Sequence, residues 1–187
     1  MVKEPRPGRV KTRLARDIGT VTAAWWYRHQ TAALIARLTD PRWQTLLAVS
    51  PDAEGLGSRI WPPGLARLTQ GSGDLGTRMT GVFRGLPPGP VLIVGSDIPG
   101  IRPPHIAAGF RALGRTDAAI GPAPDGGYWA IGLRRLRRPP RDLLDGVRWS
   151  TMHARADTLA RLTGLRVATL ATLRDVDTAA DLPRRRG

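Results

Sequence analysis

Val91-Leu92-Ile93-Val94-Gly95-Ser96-Asp97-Ile98-Pro99-Gly100 (residues 91–100) decides the fold. Four apolar residues in a row follow Pro87-Pro88-Gly89-Pro90 and run into a turn framed by proline. A strand with one wet face alternates apolar and polar side chains, whereas an unbroken apolar run is what a strand covered on both faces needs. Such strands belong to sheets with helices on either side.

Helical and strand signals alternate outward from that run. Upstream, the spacing predicts a helix over 20–38 that Asp40-Pro41 ends, a strand over 44–50, a Gly/Pro-rich loop over 55–64 and a short strand over 66–70. Gly73-Asp74 opens a helix over 75–84. Downstream come a helix over 104–113, strands near 118–121 and over 128–133, a helix over 150–162 and a strand over 166–170. This order predicts an α/β fold: a three-layer α/β/α, Rossmann-like sandwich on a mixed, mostly parallel sheet, with ligands outside the carboxyl ends of its strands. No repeat or linker interrupts it, so residues 1–187 read as a single domain.

Composition narrows the chemistry. The absence of cysteine excludes a disulfide scaffold, a thiol nucleophile and a zinc-thiolate site. The apolar run at 91–94 is far too short for a membrane span, and no apolar segment of a signal peptide follows the charged start, so the expected location is the cytoplasm. Only Lys3 and Lys11 are lysines, so arginine supplies nearly all of the 29 basic residues behind a net charge of +14. That charge fits either a polyanion-binding surface or a solvated arginine-rich face, and its sign favours a phosphorylated ligand. Aromatic residues do not interleave with Arg134-Arg135, Arg137-Arg138 or Arg184-Arg185-Arg186, so nucleic acid is not expected as a partner. Trp25-Trp26 are expected in core packing. His29, His105 and His153 show no ligand spacing.

Three loops stand where a parallel sheet presents its ligands. The first, residues 3–14, combines Pro5, Pro7 and Gly8 with Lys3, Lys11 and Arg13 just ahead of a helix, the makings of an anion site or of an ordinary basic turn. It is not a Walker A loop, because Val10 precedes Lys11-Thr12. The second places Asp97 at the end of the central strand, positioned to ligate a divalent ion or to cap the next helix. The third, Gly121-Pro122-Ala123-Pro124-Asp125-Gly126-Gly127-Tyr128, allows close backbone approach to a ligand or forms a tight turn. Near the end, Asp175-Val176-Asp177-Thr178 and Asp181-Leu182 offer further carboxylates or a cap for a terminal turn.

The order of these segments, with Gly73-Asp74-Leu75-Gly76 and Trp149-Ser150-Thr151 between them, resembles the bacterial glycosyltransferase-A-like family of the nucleotide-diphospho-sugar transferase superfamily. The resemblance spans nearly the whole chain. It implies a nucleotide-binding sheet, a divalent metal (Mg²⁺ or Mn²⁺) and two partners: a nucleotide, as an NTP or NDP-sugar, and a small-molecule acceptor. The expected reaction is nucleotidyl transfer from an NTP to a phosphorylated acceptor with release of pyrophosphate. The alternative is glycosyl transfer from an NDP-sugar, against which no Asp-x-Asp follows the central strand.

By the same resemblance Lys11, Arg13 and Asp97 are catalytic, and Asp97 and Asp177 ligate the metal. Lys3, Pro7, Gly8 and Thr12 join Lys11 and Arg13 around the phosphates, while Gln70, Asp74 and Arg78 lie near base or ribose. Asp125, Gly126 and Gly127 face the acceptor or sugar, with Trp149 packed beneath that loop. Relatives carry a full apolar strand ahead of the first loop, whereas only Met1 and Val2 precede Lys3 here. The expectation is a truncated first strand, with the native start upstream.

Overall fold

The fold is built outward from the apolar run just read. In a computed structural model that describes residues 1–182, the chain forms β1 (Val2–Lys3), α1 (Thr12–Ile18), α2 (Thr20–Leu38), β2 (Leu46–Ser50), α3 (Asp52–Gly57) and β3 (Ala66–Thr69). There follow α4 (Leu75–Gly85), β4 (Val91–Val94), α5 (Pro103–Leu113), β5 (Ala118–Pro122), β6 (Tyr128–Leu133), α6 (Ala154–Arg161), β7 (Val167–Thr169) and a 3₁₀ turn (Ala179–Asp181). Arg184–Arg186 lie outside the described residues.

Two sheets share the strands. One is β1-β2-β3, parallel throughout; the other is β4-β6-β5-β7, in which β6 runs antiparallel to both neighbours and β5 and β7 are parallel. The first strand is short, as expected: β1 holds two residues, and the Met1 amino group donates to the Val94 carbonyl at 2.8 Å to reach the second sheet.

Successive side chains of a strand point to opposite faces, and β4 shows what that does to an all-apolar run. Val91 and Ile93 pack with Met79, Val82 and Phe83 of α4 and Ala154 of α6. Leu92 and Val94 pack on the other face with Leu34 and Leu38 of α2 and Ile106 of α5. Helices therefore cover both faces, which gives the three layers. Trp129 of β6 sits in the second of these clusters, and its Nε1 donates to the Ala171 carbonyl at 2.8 Å.

Two expectations fail. The stretch expected as loop from 55 begins inside α3, where the acids Asp52 and Glu54 favour the positive end of a short helix. Trp25, expected in the core, is 61% exposed on the outer face of α2 and stacks on His29, while Trp26 packs inward. In α2 the buried stripe is Ala23, Ala24, Tyr27, Thr31, Leu34, Ile35 and Leu38, so adjacent tryptophans cannot both face it. The helix expected over 150–162 is shorter, because residues 149–152 form a separate loop.

Candidate active site

The first loop leaves β1 at Lys3 and is tied down on both sides. Glu4 N–H donates to the Ser50 carbonyl at 2.8 Å, and Arg6 pairs with Glu54 at 2.9 Å. Lys11 ends the loop in the left-handed region (φ 48°, ψ 48°), a conformation that costs a non-glycine residue about 1–2 kcal/mol. Its partners hold it there. The Lys11 side chain is only 7% exposed, with Nζ 2.6 Å from Asp97 Oδ2 and 3.0 Å from Asp177 Oδ1. Arg13 Nη1 lies 2.8 Å from Asp177 Oδ2.

Asp97 follows β4 directly. The Ser96 hydroxyl meets the Tyr27 hydroxyl at 2.8 Å, and Tyr27 in turn accepts from Lys3 N–H at 3.0 Å, so one buried phenol braces the start of the first loop against the end of β4. The chain's last segment runs beside β5, with Leu170 and Leu173 N–H groups donating to the Ile120 and Pro122 carbonyls. Val176, buried in the core, then donates to the Asp97 carbonyl at 3.2 Å. Asp175 and Asp177, on either side of Val176, therefore meet Asp97. Asp181 accepts from Asp177 N–H, Thr178 N–H and the Thr178 hydroxyl, which makes it the cap of the terminal turn.

One carboxylate oxygen from each of Asp97, Asp175 and Asp177 lies within 4.8 Å of the others. Burial lowers the Lys11 pKa, but Asp97 and then Asp177 outweigh it and the net shift is upward. Burial pushes Asp177 up, and Lys11 followed by Arg13 bring it below its ordinary value. Asp175 forms no ion pair among the described residues. Burial first, and the charges of Asp177, Asp97 and Asp125 next, push its carboxyl up to about 6. Three hard oxygen donors from separate positions, with negative charge left uncompensated, fit a divalent cation of the Mg²⁺ or Mn²⁺ kind.

A cavity of about 730 Å³ opens over this junction. Of the residues expected in the site, Lys3, Lys11, Thr12, Arg13, Gln70, Asp97, Asp125, Gly127 and Asp177 line it. Pro7, Gly8, Asp74, Arg78 and Gly126 do not. Asp74 caps α4 by accepting from Thr77 N–H at 2.8 Å. Arg78 donates to the Gly73 carbonyl and the Ser50 hydroxyl. Gly126 (φ +87°) lies beneath the backbone of Met152, where a Cβ has no room. Gln70 does line the cavity, yet its amide nitrogen is committed to the carbonyls of Val2 and Ala48, at 2.9 and 2.7 Å.

Asp175, Tyr27 and Ser96 were not among the expected site residues. Asp175 had a signal: two residues apart on an extended chain share a side, so Asp175 and Asp177 belong together. Tyr27 had none, since it reads as one more apolar-face position of α2. The arginine clusters outside the site serve the fold: Arg135 is buried with Nη2 on the Leu86 carbonyl, and Arg138 donates to that of Arg84. No helix among the described residues is long and apolar enough to cross a membrane.

Comparison with known proteins agrees with this architecture. A putative nucleotide-diphospho-sugar transferase from Desulfovibrio desulfuricans G20 is 33% identical, aligning 95% of this chain with 80% of its own at a TM-score of 0.79. A homologue of Mycobacterium tuberculosis rv0371c from Mycobacterium sp. strain JC1, 14% identical, aligns 81% of this chain with 77% of its own at a TM-score of 0.53 and shares the fold. No curated protein matches the sequence significantly. Residues 33–151, more than half of the chain, match a family of bacterial proteins, and the chain belongs to that family, described as uncharacterized protein conserved in bacteria (DUF2064).

Proposed function

We propose that this protein is a metal-assisted transferase acting on a nucleotide-activated donor, and that it moves a sugar from a nucleotide-diphosphate sugar to a small acceptor. The observation that carries this reading is the junction at Lys11, whose ammonium lies between Asp97 and Asp177 with Arg13 alongside. Three distant stretches of chain thus bring cations and carboxylates to one end of the sheet. Similarity to a putative nucleotide-diphospho-sugar transferase supports the same class.

In this reaction the bond from the anomeric carbon to the diphosphate oxygen breaks, and the nucleoside diphosphate leaves with the electron pair. The acceptor oxygen bonds to that carbon and loses its proton to solvent. Lys11 and Arg13 supply positive charge where the leaving diphosphate gathers negative charge, with Lys3 and Thr12 beside them. Asp97, Asp175 and Asp177 would hold the divalent ion, which when bound neutralises the same diphosphate.

A second reading, nucleotidyl transfer from an NTP with pyrophosphate release, is favoured by the lone carboxylate after β4, since position 95 is glycine and no Asp-x-Asp stands there. An assay of nucleoside diphosphate release from a panel of NDP-sugars, run beside pyrophosphate release from NTPs, separates the two. Asp97→Asn is expected to lower the responding rate by roughly a thousandfold. Silence in both assays with Mg²⁺ and Mn²⁺ would sink the proposal.

A further inference from the structure

Every lysine and arginine that lines the cavity comes from residues 3–13: Lys3, Arg9, Lys11 and Arg13. Another part of the lining is an apolar wall made by Leu75 and Met79 of α4, Tyr128 at the start of β6, and Trp149 and Met152 of the loop before α6. The wall is a packed unit. A Cβ on Gly76 would sit 2.8 Å from the Trp149 ring, so α4 and Trp149 are in close contact, and Tyr128 meets Trp149 edge to face at 6.3 Å.

Two members of that wall face water. Leu75 is 44% exposed and Met152 72% exposed, although both line the cavity. Their loop is tied down. Arg148 forks onto Asp157 with two bonds of 2.8 Å, the Thr151 hydroxyl donates to the Arg148 carbonyl at 2.8 Å, and Arg155 N–H donates to the Gly126 carbonyl at 3.0 Å. Gly126 lies directly under Met152. The backbone around Met152 is thus anchored while its thioether stays uncovered, an arrangement that suits contact with a ligand more than contact with water.

We infer that the acceptor is an uncharged hydroxyl compound bearing an apolar ring or chain, with its apolar part against Leu75, Trp149 and Met152. The inference rests on the reading that residues 3–13 hold the phosphates of the donor. Charge separates it from a phosphorylated acceptor. The remaining charged groups of the lining are carboxylates, Asp125 among them, and no lysine or arginine outside residues 3–13 lines the cavity to meet a phosphate.

The test uses the whole chain and three probes in calorimetric titration: n-octyl-β-D-glucopyranoside below its micellar concentration, glucose, and glucose 6-phosphate. Octyl glucoside is expected to bind at least about tenfold more tightly than either comparator. Met152→Glu and Leu75→Glu are each expected to weaken it about fivefold or more, Met152→Leu to retain it, and thermal melting reports that the variants fold. Tightest binding of glucose 6-phosphate, or octyl glucoside binding that both Glu variants leave unchanged, overturns the inference. A parallel titration of nucleoside diphosphates with Mn²⁺ separates the two ideas. If nucleotides bind and octyl glucoside is no better than glucose, the acceptor inference fails alone. If nucleotides do not bind and octyl glucoside behaves as stated, the donor reading fails and the apolar subsite stands.

Discussion

The backbone N–H of Val176 donates to the carbonyl oxygen of Asp97 at 3.2 Å, tying the last segment of the chain to the end of the central strand. Because the bond is between main-chain atoms, it leaves the carboxylate of Asp97 free, and the carboxylates on both sides of Val176 join it. Lys11 neutralises part of what results. The site is thus a meeting of like charges held together by one buried cation and by backbone bonds that do not depend on charge.

Lys11→Met removes that cation. Arg13 stays on Asp177, but Asp97 loses its partner while the three carboxylates remain close. Removing one member of a half-buried ionic cluster is expected to cost about 2–3 kcal/mol, less than the full buried case because the acids keep some solvent. Thermal melting in chelator should show the loss, and Mn²⁺ should restore more stability to the variant than to the parent. Equal Mn²⁺ shifts in both would contradict the charge argument.

Asp175 gives a prediction with the opposite sign. Its carboxyl is pushed up to about 6 in the folded chain, against about 3.9 when unfolded. A raised carboxyl is a burden on the fold only when charged. The penalty is absent below about pH 4, grows between about pH 4 and 6, and is constant above that. Asp175→Asn in metal-free buffer should therefore stabilise the protein by about 1–2 kcal/mol at neutral pH, solvent screening included, and have little effect below about pH 4. Melting curves across that range check it, and a gain independent of pH would assign the effect to something other than charge.

The fold was legible because β4 is apolar at every position: Ile93 and Val94 both had to be covered, and the alternation of elements around them left one architecture that does so. Lys11, Asp97 and Asp177 were legible because chemistry-bearing residues stood right after strands or in repeated acidic spacing. The cap at Asp74 was not, since an acid before a helix has the same pattern whether it binds ribose or Thr77 N–H. Nor was the bracing by Tyr27, a tertiary contact across 69 positions between two residues of ordinary type.

That brace can be tested without touching the charged groups. Tyr27→Phe keeps the ring packed against Val10 and Ala24 but deletes the hydroxyl that accepts from Lys3 N–H and pairs with Ser96. Both partners are then left short of a hydrogen bond, at a cost of about 1–3 kcal/mol. If the hydroxyl positions the first loop, Mn²⁺-dependent nucleotide binding should weaken along with stability. A variant that melts lower yet binds nucleotide unchanged would show the hydroxyl to be structural only.

Gly126→Ala reaches the site from the other side. Gly126 has φ +87°, which penalises any side chain, and an added Cβ would collide with the Met152 carbonyl and lie 2.6 Å from its Cα. Gly8 offers the control: its φ is +76° but a Cβ there meets nothing within 4 Å. Alanine at Gly8 should therefore cost about 1 kcal/mol from backbone strain alone, and alanine at Gly126 about 2–4 kcal/mol, as Met152 and its loop are forced off the Asp125-Gly126-Gly127 turn. The two melting temperatures, compared in one buffer, measure the difference. Similar losses at both positions would mean that the loop carrying Trp149 and Met152 yields easily, and that the exposed thioether is not held in place by the fold.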